Sequence, residues 1–224
     1  MPTRVRFPFI TLVVVLAALP LLADDKPSLS IDKEHKTVAI PCKIAPRKLP
    51  NLKDTYPIEV IATWPAPKGQ KAHETLVTFE SIKPSEIHKA LESLGLKAGR
   101  PTRDEKRPPE GPQVALLLEI PGVDGKPQRM PVEKLLVQIK SGEAAPALKW
   151  HFTGSVVREP DPEKDDKVYG ADLTGTLAAI FPVTDDTVLQ SSLTTQEEKS
   201  LKLETNARLL PKEGTDVKLI LQVK

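Results

Sequence analysis

The stretch TLVTFESIKPSEIHKALESLG, residues 75–95, holds two kinds of local order. Thr75 to Phe79 is short, apolar and β-branched, the signature of a strand. Pro84 then stands where a helix can begin, since its missing N–H is not needed in the first turn. Ile87, Ala90, Leu91 and Leu94 follow at helical spacing and form one apolar stripe. Gly95 is a natural stop. The spacing predicts a helix over about 84–94 that buries one face against a sheet.

Most of the remaining order reads as strand. Thr37–Ile40 and Ile58–Thr63 are short and β-branched, and Val114–Ile120 is a continuous apolar run closed by Pro121. The 123–126 segment has turn chemistry. Trp150 and Phe152 alternate with His151 and Thr153. Leu173-Thr174-Gly175 reads as a hairpin turn. Leu201 and Leu203 alternate, as do Val217, Leu219, Leu221 and Val223, and Pro211–Gly214 lies between them as a turn. These two runs are expected to pair as the closing antiparallel strands. Pro131–Ile139 is expected to be a second, short helix, and 97–112 a solvated loop. The fold class expected is α+β: a strand-rich single domain, mainly antiparallel sheet, with one firm helix packed on it.

The first 23 residues carry a different signal. Arg4 and Arg6 precede an apolar run from Phe9 to Leu22, and Ala23 stands at its exit. A positive end, an apolar stretch and a small residue form a secretory signal peptide. The run is shorter than the ~20 residues of a spanning helix, and Pro20 interrupts it. Residues 1–23 are therefore expected to be removed on export, 24–36 to be a flexible lead-in, and 37–224 to form the domain. Export to the periplasm or cell envelope follows, with no membrane span after removal.

The full chain has 32 basic and 30 acidic side chains, and without Arg4 and Arg6 the two are equal. A neutral balance gives no general attraction to nucleic acid or anionic membranes. Cys42 is the single cysteine, so no internal disulfide can form and no iron–sulfur cluster can be held. The 23 prolines, roughly twice the usual ~5%, favour strands and loops.

Reactive constellations are sparse. No two glycines are spaced as G-x-G, and neither a P-loop nor a G-x-S-x-G elbow is present. Ser155 near His151 reads as the polar face of a strand, and Cys42 as a buried inert thiol. Asp161, Glu163, Asp165 and Asp166 cluster with Lys164 and Lys167 but lack the pattern of a calcium loop. One set offers metal-ligand chemistry: His73, Glu74 and His88, imidazole and carboxylate groups on a strand entry and the next helix. The structural reading of the same residues is a Glu74–His88 pair. H-E-x-x-H is absent, and the balance leans away from an enzyme. No cofactor is expected beyond a divalent metal at those three residues, and the expected partner is an envelope protein or a small ligand.

Several stretches together resemble the YdjY-domain family of exported bacterial proteins of unknown function. They are Lys71–Glu74, Lys83–Leu91, Leu94–Pro101, Trp150–Ser155, Tyr169–Gly175, Ser191-Ser192, Asn206 and Pro211–Thr215. In order and spacing they cover most of residues 37–223. The resemblance implies no particular activity. It singles out His73, Glu74 and His88, and equally the turn glycines and prolines. Some relatives carry a ferredoxin-like label, from which this chain departs, because Cys42 alone cannot bind a cluster.

Overall fold

A computed structural model of the chain describes residues 28–104, 107–122, 124–161, 163–164 and 166–224. The expected signal peptide and the start of the expected lead-in lie outside the described residues, as do Val123 and Asp165.

In chain order the elements begin with β1 (Ser30–Asp32), β2 (Thr37–Ile44), β3 (Val60–Thr63), β4 (Thr75–Thr78) and α1 (Pro84–Ser93). Next come β5 (Gln113–Pro121), β6 (Pro127–Pro131), a 3-10 turn (Val132–Leu135), β7 (Leu136–Gln138), β8 (Trp150–Phe152), β9 (Val157–Arg158) and β10 (Val168–Tyr169). The last are α2 (Gly170–Thr174), β11 (Thr176–Ala179), β12 (Leu189–Ser191), α3 (Thr195–Ser200), β13 (Leu203–Thr205) and β14 (Asp216–Val223).

The pairings make a ring. The order β2-β14-β5-β8-β12-β11-β3-β4 is continuous, and β4 pairs back onto β2 through Lys43↔Thr78 and Ile44↔Val77. Eight strands thus close into a barrel. Two neighbour pairs, β3/β4 and β11/β12, are parallel and the others antiparallel. Register traced from Ile44 through Val77, Ala62, Ala178 and Leu189 reaches Phe152. Traced the other way, Thr37 leads through Gln222 to Ala115, and Val114 pairs with Trp150. A full circuit therefore returns to the opposite end of β2, the stagger that tilted barrel strands require.

Alternation fills the interior. Val38, Leu221 and Leu116 form one cross-strand row, and Ile40, Leu219 and Leu118 the next, all buried. Trp150 and Phe152 enter from β8. The centre is a packed core, the usual state of an eight-stranded barrel without a ligand cavity. β3, β4 and β11 are buried at every position, as expected where parallel strands are covered on both faces.

These pairings correct the expected fold class. The described residues are mostly β, a mixed eight-stranded barrel with three short helices, not an α+β protein with a mainly antiparallel sheet and a firm helix packed on it. α1 forms where its stripe indicated, with Ile87, Ala90 and Leu91 buried. It is short, and the architecture is set by strand partners far apart in sequence. Leu173-Thr174-Gly175 is the end of α2, with Gly175 as its left-handed cap, not a hairpin turn. β13 pairs with β7 in a separate two-stranded sheet, while β14 lies between β2 and β5, so the two final runs do not pair with each other. Of the helix expected at 131–139 only the 3-10 turn forms, and its continuation is β7. Ser30–Asp32, within the expected lead-in, pairs with β2.

Candidate functional site

Two polar clusters contain the residues that the sequence singled out. The first lies where the chain enters β4. A turn closed by Glu74 N–H to Lys71 O, 3.0 Å, sets Lys71 and Glu74 side by side. Lys71 Nζ donates to Glu74 Oε2 at 2.5 Å and to Glu59 Oε2 at 2.6 Å. Burial pushes the Glu59 carboxyl above its ordinary range, and the Lys71 ammonium only partly offsets this. Burial alone would lower Lys71, but hydrogen bonds to two carboxylates hold it above its usual value. His73 Nε2 lies 3.3 Å from Glu74 Oε1, and its ring stands edge-on to Tyr56 at 5.2 Å.

Arg47 fastens this turn to the rest of the molecule. Its Nη1 donates to His73 O at 3.2 Å, its Nη2 to Tyr56 O, and its Nε to Glu204 Oε1 on β13 at 2.7 Å. Its backbone N–H donates to Glu213 Oε1 at 2.8 Å. Burial acts to raise the Glu204 carboxyl, but the hydrogen bonds from Arg47 and Thr205 and the Arg47 charge together outweigh it and hold the group below the usual carboxylate range.

The second cluster joins α1 to β10 and α2. His88 Nδ1 is 2.8 Å from the Tyr169 hydroxyl, which itself accepts the Ser155 N–H at 2.9 Å. The same hydroxyl thus bonds both a backbone N–H and the imidazole, whose other nitrogen, Nε2, lies 3.3 Å from Glu92 Oε1. The His88 ring packs edge-on against Phe152 at 4.9 Å and Tyr169 at 5.3 Å. Burial pushes the Tyr169 phenol well above its ordinary range. Asp172 accepts from Ser85 N–H at 2.8 Å and from Ser85 Oγ at 2.6 Å, placing a carboxylate at the start of α1. Gly154 has φ +67°, and a Cβ there would meet Ala98 Cβ at 3.0 Å and His88 Cε1 at 3.2 Å. Only glycine fits.

His73 and Glu74 are thus neighbours, while His88 and Asp172 belong to the other cluster. Glu74 and His88 make no hydrogen bond or ion pair with one another, so the expected pair does not form. The reason is geometric. A strand leads its C-terminal end, not its entry, to the helix that follows, and Glu74 precedes β4 whereas His88 follows it. Among the described residues no group of three His, Cys, Asp or Glu side chains is placed to hold a metal ion.

Ser155 Oγ accepts from Ala171 N–H at 2.9 Å and faces the Val156 carbonyl at 3.2 Å, with Tyr169 between it and His88. That is a backbone-locking role. His151 Nδ1 meets Gly111 O at 3.0 Å. Cys42 is buried, and burial pushes its thiol up to about 12, so it is inert as a nucleophile. In the acidic loop Asp161 pairs with Lys164 at 2.8 Å and caps Glu163 N–H. Arg47, Glu59, Tyr169 and Glu204 were not singled out as site residues because their partners are distant in sequence, and Lys71 was not because its near partner Glu74 lies in a turn without periodicity.

A well-formed concavity lies elsewhere. A groove of about 500 Å³ lies between Trp64–Lys68, after β3, and Phe79–Lys83, after β4. It holds no histidine and no cysteine. Trp64 Nε1 donates to Ile82 O at 2.9 Å and ties its two walls together.

Together these features define a class: a mostly-β barrel with a side-chain core, two internally satisfied polar clusters and an open groove at the strand ends. Among the described residues no helix is long and apolar enough to cross a membrane. The chain belongs to the YdjY domain family, whose model matches residues 29–222. No curated protein and no solved structure matches it.

Proposed function

We propose that the chain is an exported, non-catalytic cell-envelope protein that binds a protein partner or small ligand. One observation carries the reading. The side chains suited to chemistry, namely His88, Tyr169, Ser155, Lys71 and Glu74, are engaged with one another or with backbone. The open groove after β3 and β4 is instead walled by Trp64, two prolines, Phe79 and Ile82. Ligand sites are commonly apolar concavities with a few polar groups at the edge. The ordered charge, apolar run and small exit residue of residues 1–23 support export. The neutral charge balance of the exported part supports a specific partner over nucleic acid or a membrane surface.

The export half is tested by expressing the full chain in a bacterium with an envelope and measuring the intact mass of the protein released by osmotic shock. The expected species begins at Asp24. Full-length chain held in the cytoplasm would overturn the reading.

A further inference from the structure

We propose that the Trp64 groove docks an extended segment of a protein partner, with an apolar side chain on Trp64 and Phe79 and a carboxylate beside Lys68 and Lys83. The inference rests on the reading of the chain as a binding protein and names the chemistry of its partner.

Shape is the first argument. The groove does not end at Phe79. It shares Phe79 and Glu80 with a depression of about 80 Å³, which shares Pro41, Cys42 and Asp216 with a third of about 420 Å³. The three pass the ends of β3, β4, β2, β14 and β5 in turn. An open furrow crossing five strand ends suits an extended chain better than a compact molecule. Its Trp64 end is preformed, since Trp64 is held through its indole to Ile82 O and through its backbone N–H to Gly175 O at 3.1 Å.

Charge is the second argument. Along the far part of the furrow each lysine on the wall has a carboxylate partner in the fold: Lys43 with Asp216 at 3.9 Å and Lys218 with Glu119 at 3.4 Å. At the Trp64 end the pattern changes. Lys68 and Lys83 are exposed and have no carboxylate within ion-pair distance among the described residues. Among the residues that line the groove there, Glu80 is the single carboxylate against two lysines, and the nearby Glu86 carboxylate is engaged with the Lys83 backbone N–H at 3.0 Å. Two lysines without internal partners beside an apolar floor are complementary to an acidic, apolar segment. Exposed ion pairs add modest affinity, and their main effect is selection of the partner's sign.

The test uses the ¹⁵N-labelled full chain, titrated with a capped pentapeptide carrying a Leu-Pro-Leu core between two glutamates, followed by amide and indole NMR. Saturable shifts confined to the Trp64 indole and the 79–83 amides are expected. Affinity is expected to fall about fivefold or more for the glutamine version of the peptide and for the double variant K68Q/K83Q. Both lysines are exposed, so this variant keeps the fold. Absence of saturation, shifts elsewhere, or equal affinity for the neutral peptide would overturn the proposal. So would concentration-dependent shifts of the same signals without peptide, which would assign the groove to a second copy, and so would preferential binding of decanoate, which would assign it to an acyl chain. Any of these leaves the export result untouched, so the two failures are distinguishable.

Discussion

Tyr169 shows what a single hydroxyl does in this molecule. It accepts the Ser155 N–H and shares a hydrogen bond with His88 Nδ1, holding α1, the segment after β8, and β10 at one point. Removing it leaves a part-buried N–H and a ring nitrogen without partners, which costs about 1–3 kcal/mol. Tyr169→Phe keeps the ring packing on His88, so urea unfolding is expected to show a lower midpoint with an unchanged slope. An unchanged midpoint would remove Tyr169 from the network. At this scale the sequence was partly legible. His88 stood out because it lies beside a helical stripe, and Ser155 because it follows a glycine. Their partner Tyr169 did not, because an 81-residue separation leaves no local trace. For Glu74 the pairing expected with His88 was wrong for the opposite reason: its true partner, Lys71, is three residues away in a turn without periodicity.

At the scale of elements, Arg47 and Glu204 bind the small β7–β13 sheet to the turn that starts β4. The Glu204 carboxyl sits below its usual value, so its contribution to stability is fully present above about pH 4.3 and is lost as the pH falls through the depressed folded value. Glu59, raised by burial, acts with the opposite sign, because the fold favours its protonated form. Glu204→Gln is expected to be less stable than the parent at neutral pH and flatter in acid. The two stability curves should converge as the pH falls below the ordinary carboxylate range in denaturant titrations. Curves that stay parallel would contradict the assignment. Short apolar runs located β2, β3, β4, β5, β8 and β14, and a 3.6-residue stripe located α1. Among the elements misread, one turns on a glycine with two meanings, whereas the helix expected at 131–139 gives only a 3-10 turn and a strand. Gly175 ends α2 because, at φ +73°, it caps a helix turn, whereas the same residue after Leu173-Thr174 also suits a hairpin.

At the scale of the whole molecule, closure was the illegible step. Alternation along β14 says that one face is buried, but not that β14 lies between β2 and β5, nor that β4 returns to β2 and completes a ring. Parallel neighbours such as β3 and β4 need a crossover that no local pattern announces. The ring also decides the site, because it puts the entry of β4 and the helix after it at different places and so divides His73 and Glu74 from His88. The central claim is that these three residues build the fold and do not hold a metal. Elemental analysis of the envelope-recovered protein, purified without chelators, tests it most directly. The expected result is metal far below one ion per chain, unchanged in His73→Ala and His88→Ala. One ion per chain, lost in both variants while the fold persists, would contradict it.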